Sequence, residues 1–224
     1  MELTVYPTSQ TASGAGDSAP LHAGKNSAKA GLILAPGAGA GQASPFMTKF
    51  AKGMAERGIA AATFDFPYMR SGRKLPDPPH VLENAWREAL EAAAAQLKTP
   101  FVVIGGKSMG GRIASQVAAQ GAPGVSGLVF LGYPLHPPGK PQQRRDAHLP
   151  RIAEPQLFVQ GTRDAFGNAV EIRELLKSLQ RATLHEVEGG DHSFKVSGRG
   201  VKPDDVISGI MDVVAAWIVQ QIRP

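Results

Sequence analysis

The sequence predicts an α/β fold in one domain over residues 1–224, with a central, mostly parallel sheet covered by helices on both faces. Three observations predict it. Short apolar runs alternate along the chain with longer segments whose apolar residues recur every three or four positions. The runs are continuously apolar rather than alternating, as strands buried on both faces are. The 224 residues also suffice for a substantial core, and no linker separates two regular blocks.

The elements follow in order. Residues 2–6 read as a short strand, and the Ser/Gly/Ala stretch from Thr8 to about Gly16 as a loop. Residues 1–30 are thus expected to be an N-terminal strand region with a flexible polar loop. The run 32–34 is a strand ended by Pro36-Gly37, and a helix over 45–57 stops at Gly58. Residues 59–64 form the next strand and a proline-rich loop covers 66–79. In the helix expected over 81–97, Leu82, Trp86, Leu90, Ala93 and Leu97 form one stripe. Strands at 101–104, 128–131, 157–160 and 184–187 then alternate with helices at 108–120, 170–179 and 204–222.

Composition narrows the chemistry. The chain has no cysteine, which excludes disulfides, thiolate metal sites and a cysteine nucleophile. Its six histidines are His22, His80, His136, His148, His185 and His192; none forms an H-x-x-x-H pair, so no metal and no cofactor are expected. The net charge of +5 is mild, and basic residues neither line one helix nor interleave with aromatics, so no nucleic-acid partner is expected. No apolar run precedes Lys25, the first basic residue, and none approaches membrane-spanning length. A cytoplasmic protein is therefore expected, of unspecified oligomeric state.

The most informative window is Gly106-Lys107-Ser108-Met109-Gly110, a G-x-S-x-G pattern between an apolar strand and a helix. The spacing has a steric reason. A serine exposed on a tight strand-to-helix turn leaves no room for side chains two residues to either side. The turn also aims the Met109 N–H above Ser108, at a helix N-terminus that favours negative charge. Two other readings are weaker. A phosphate-binding loop needs a glycine at 101, where the strand has Phe101. Close helix–sheet packing with Ser108 as a plain N-cap accounts for the glycines, but only if no base and acid accompany the serine.

They do accompany it. Asp164 follows the strand at 157–160 and His192 follows the strand at 184–187, so Ser108, Asp164 and His192 all fall just past strand ends. Open α/β sheets bring such positions to one edge. In that arrangement His192 takes the Ser108 proton and Asp164 orients the imidazole. His185 lies within a strand and His148 precedes the acid, which makes both poorer bases. The glycine-rich 36–41 segment supplies the second oxyanion donor, Ala38 N–H beside Met109 N–H, with Gly39 as the fallback. A dinucleotide fingerprint here lacks its last glycine, since position 42 is Gln.

The segments Leu34-Ala-Pro-Gly-Ala-Gly-Ala-Gly, Phe66-Pro-Tyr-Met, Gly105-Gly-Lys-Ser-Met-Gly-Gly-Arg, Gly132-Tyr-Pro-Leu-His-Pro-Pro-Gly, Gln160-Gly-Thr-Arg-Asp and Gly189-Gly-Asp-His-Ser resemble the α/β-hydrolase superfamily, in its dienelactone-hydrolase-like group. The chain is most similar to the compact hydrolase-like family shared by bacterial proteins, a testis-expressed protein and a subunit of the non-specific lethal chromatin acetyltransferase complex. The resemblance spans residues from about 31 to the C-terminus. It implies about eight strands and a Ser108–Asp164–His192 triad; no insertion in the chain is long enough for a large cap domain. Where relatives often have His-Gly, this chain has Pro36-Gly37.

The loops expected on the catalytic edge, 66–79, 132–150 and 193–203, carry Arg70, Arg73, Lys74, Lys140, Arg144, Arg145, Lys195, Arg199 and Lys202. Such a rim would steer an anionic ester, although solvated loops are commonly basic. By position, Gly39, Tyr68, Met69, Tyr133 and His136 are expected on the pocket wall. The function expected is a serine hydrolase of small carboxylic esters or related acyl compounds, acting through an acyl-enzyme on Ser108. The alternative is a hydrolase-fold interaction module whose triad is vestigial.

Overall fold

A computed structural model describes residues 1–8, 30–198 and 200–222. The expected polar loop at 8–16, His22, Lys25 and Arg199 lie outside them, apart from Thr8. The strands are β1 (Leu3–Tyr6), β2 (Ala30–Ala35), β3 (Ala60–Phe64), β4 (Phe101–Lys107), β5 (Val125–Leu131), β6 (Gln156–Gly161) and β7 (Ala182–Val187). The helices are α1 (Pro45–Glu56), α2 (Pro67–Arg70), α3 (Pro79–Leu97), α4 (Met109–Ala118), α5 (Ala169–Leu176) and α6 (Pro203–Ile222). Among the described residues the sheet has seven strands in the order β1-β3-β2-β4-β5-β6-β7, where the resemblance implies about eight. All pairs are parallel except β1 against β3.

Handedness assigns the helices to faces. Right-handed crossovers place a connecting helix on one face when the chain steps one way along the sheet, and on the other when it steps back. The step from β2 to β3 therefore puts α1 on one side, while the return steps put α3, α4 and α5 on the other. Strand side chains alternate accordingly. Ile33, Ile104, Leu128, Phe130 and Phe158 pack with α3, α4 and α5. Leu32, Leu34, Val103, Val129, Leu157 and Val159 pack with α1 and α6. Alternation is thus present in space while both sets are buried, which is why the strands read as unbroken apolar runs.

The α6 helix is long and apolar enough by composition to cross a membrane, yet Ile210, Met211, Val214, Trp217 and Ile218 are buried against the sheet. Arg57 locks α1 to it, with Nε 2.7 Å from Asp212 and Nη2 2.9 Å from the Ser208 hydroxyl. The strand order reverses between β2 and β4. The loops leaving these strands diverge there, opening the crevice in which α/β folds bind ligands.

Candidate active site

Ser108 follows β4 at the crevice and caps α4 at φ 49°, ψ −116°. A non-glycine residue there is strained by about 1–3 kcal/mol and persists only when its surroundings enforce it. They do so through backbone proximity. A Cβ at Gly106 or at Gly110 would lie 2.2 Å from the Ala35 carbonyl oxygen, and one at Gly105 would lie 1.9 Å from that of Val129. The pattern's glycines therefore let the elbow press onto the end of β2. Ser108 N–H donates to Leu131 O at 3.1 Å, fixing the turn from the β5 side.

The three residues expected from the sequence meet. His192 Nε2 lies 2.8 Å from Ser108 Oγ, and His192 Nδ1 lies 2.7 Å from Asp164 Oδ2. Asp164 is buried, and its other oxygen accepts the Phe166 N–H at 2.8 Å. A carboxylate so placed requires the proton on Nδ1, which leaves the Nε2 lone pair facing the hydroxyl. The buried Gln160 amide completes the cage. Its Nε2 donates to Asp164 Oδ2 at 2.9 Å and to Gly167 O at 2.6 Å, while its Oε1 accepts Tyr133 N–H at 2.8 Å. Phe166 covers the imidazole, with ring centroids 4.2 Å apart.

Ser108 and His192 open onto a cleft of about 510 Å³. Ala38 lines it, and neither its N–H nor that of Met109 donates to a described residue. Gly39 N–H is committed to the Tyr68 hydroxyl at 3.2 Å. The remaining walls are apolar Phe46, Met47 and Phe166, with Lys107, Lys195 and the hydroxyls of Ser44 and Ser193. Burial lowers Lys107 to about 8, against Asp164 and Asp191, which raise it.

The expected pocket wall is corrected by these positions, since none of its five residues lines this cleft. Tyr68 is buried and its phenol braces the Gly39 turn from behind; burial raises its pKa. Met69 packs on the hydrophobic core. Tyr133 is buried between Phe130 and Phe158 and donates to Arg145 O at 2.7 Å. His136 is buried, 3.0 Å from Glu171 at Nε2 and 2.9 Å from Pro137 O at Nδ1, joining its loop to α5. Gly39 lies on an exposed turn. Of the basic loop residues, Lys195 reaches the cleft, whereas Arg73 pairs with Asp77 and Arg144 with Asp146. Sequence reasoning missed Lys107, Gln160, Phe166 and Phe46. The position of Phe166, two residues past the acid, was a usable signal; the others carried none.

Other solved structures share this fold. The structure is similar to that of Est1E from Butyrivibrio proteoclasticus with ferulic acid bound, at a TM-score of 0.71 and 13% identity over 98% of this chain and 95% of that one. It is similar to a monoacylglycerol lipase from Paleococcus ferrophilus, at 0.70 and 15% over 98% of both chains. It is also similar to a dienelactone hydrolase from Anabaena variabilis, at 0.67 and 20% over 88% and 89%. These likenesses are of fold. The family model of the alpha/beta hydrolase domain matches residues 28–219, from β2 to the last turn of α6, and by that match the chain belongs to the alpha/beta hydrolase family.

Proposed function

We propose that the protein is a serine hydrolase of small carboxylic esters or related acyl compounds, within the dienelactone-hydrolase-like group and closest there to the compact hydrolase-like family. One observation carries the reading: the unbroken hydrogen-bond chain Ser108–His192–Asp164, ending on a strained elbow at the floor of a cleft. Ser108 Oγ attacks the acyl carbon as its proton passes to His192 Nε2. The carbonyl oxygen becomes an oxyanion that Ala38 and Met109 N–H stabilise. Collapse breaks the ester C–O bond, and the alcohol leaves with the proton from His192. Water, deprotonated by His192, then releases the acid and restores Ser108.

The walls suggest the acyl group. Phe46, Met47 and Phe166 suit an apolar or aromatic chain, as in the ferulic acid bound by Est1E, and Lys107 with Lys195 favours a substrate that also carries negative charge. An active-site-directed fluorophosphonate tests the reading. Labelling is expected at Ser108, absent in Ser108→Ala and at least about a thousandfold slower in His192→Ala. A folded protein left unlabelled at high probe concentration overturns the enzyme in favour of an interaction module.

A further inference from the structure

Lys107, the residue before the nucleophile, takes no part in the steps above. Its ammonium donates to the His192 carbonyl oxygen at 2.6 Å, across 85 residues of chain. It also stands 5.3 Å from the centroid of the Phe194 ring. Phe194 is buried at φ 61°, a conformation its side chain disfavours, so the turn after His192 is held under constraint. The contacts close a ring. It runs from the elbow through Lys107 to the His192 backbone, along that residue to its imidazole, and back to Ser108 Oγ at 2.8 Å.

We propose that Lys107 is a positioning residue, fixing the His192 backbone to the nucleophile elbow so that the base stays aligned with Ser108. The proposal rests on the serine-hydrolase reading and deepens it. The other polar contacts of the 190–196 turn explain why a tie is needed. Asp191 Oδ1 accepts from the N–H groups of Ser193 and Lys195, and Asp191 N–H donates to Lys195 O, all within the turn. Gly190 O accepts from Arg163, which lies on the acid's loop rather than on the elbow. Among the described residues, the turn's polar links to the elbow are the Lys107 bond and the His192–Ser108 bond itself. The surroundings leave space for that tie. Gly132, at φ 71°, places no side chain beside Lys107, and a Cβ there would lie 3.0 Å from Nζ and 3.3 Å from His192 O.

The tie is charge-assisted and so depends on pH. The charged or titratable groups around the ammonium are Asp164 on the β6–α5 loop and Asp191, His192 and Lys195 on the β7–α6 loop; the β2–α1 loop offers Gly37 and the end of β5 offers Gly132. Above about 8 the amine is neutral and its bond to the carbonyl is weaker.

The experiment follows p-nitrophenyl acetate turnover and fluorophosphonate labelling from pH 6 to 10 in wild type, Lys107→Met and Lys107→Arg, with hydrogen exchange of residues 190–196. Lys107→Met is expected to lower kcat and labelling roughly ten- to a hundredfold with KM within about twofold, and to speed exchange in the turn. Wild type is expected to decline with a midpoint near pH 8, whereas Lys107→Met is low and flat there. Lys107→Arg, charged throughout, recovers part of the rate and keeps it above pH 9. A folded Lys107→Met with wild-type kcat and wild-type exchange overturns the proposal. Should that variant not fold, a Lys107→Arg profile that declines like the wild type overturns it instead. An unlabelled wild type overturns the hydrolase reading itself; a labelled wild type beside an unaffected Lys107→Met overturns the positioning role alone.

Discussion

His148 shows how tightly a single side chain can be specified without any part in chemistry. Ser115 Oγ donates to Arg112 O at 2.7 Å, so the contact of 2.7 Å between Ser115 Oγ and His148 Nε2 requires the proton on that nitrogen. Burial, then Arg112 and Arg151, lower the His148 pKa from 6.5 to about 4. The folded state therefore prefers neutral His148, while the unfolded chain binds a proton below about 6.5. This contribution is present above pH 6.5 and is lost as pH falls to 4, a change of about 1–2 kcal/mol once solvent screening of the half-buried ring is included. Urea unfolding between pH 4 and 8 is expected to show that slope, reduced in His148→Gln; His185, shifted in the same direction by burial, supplies part of the remainder. At this scale, legibility follows covalent proximity. Ser108, Asp164 and His192 could be read because each abuts a strand end, and strand ends converge. Lys107 and Gln160 could not, since each acts through a long side chain on partners that only the folded chain supplies. Tyr133 and His136 stand on a loop of the catalytic edge, but loop position says nothing of which way a ring turns.

Elements were legible where a period had room to repeat. The 19 residues of α3 announce their stripe, and Trp86 on it is buried with its indole N–H donating to Gly110 O at 3.2 Å. That bond fastens α3 to the first turn after the nucleophile. Trp86→Phe is expected to destabilise by about 1–3 kcal/mol in denaturant melts and to slow labelling of Ser108 several-fold. The four residues of α2 and the single turn at Leu149–Arg151 span too little chain to show a helical repeat. The strand bounds that composition gives at 32–34, 101–104, 128–131, 157–160 and 184–187 are shorter than the strands found, for a related reason. Val125 and Ser126 are only partly buried; Val125 pairs with Val102, and Ser126 is the extra residue of a register shift before Gly127 pairs with Val103.

At the scale of the molecule, the parallel order and two-faced burial followed from the alternation of runs and stripes, and right-handed crossovers did the rest. What did not follow was the distribution of charge. The chain carries +5 overall, yet two of the loop cations, Arg73 and Arg144, are paired with the local carboxylates Asp77 and Asp146, and one of the two lysines lining the cleft, Lys107, comes from a strand end. The strand order has a further consequence. Ser108 and the β2–α1 loop belong to the half of the sheet formed by β1 to β4, whereas Asp164 and His192 belong to the half formed by β5 to β7. The exposed turn between 121 and 124 is the one covalent link between these halves, and the β4–β5 ladder is their seam. Cutting the chain there yields two inert fragments, one holding the nucleophile and the other its activating pair. Co-expressed, they are expected to regain fluorophosphonate labelling only by rebuilding the seam, which makes the protein a complementation reporter whose signal is its own chemistry.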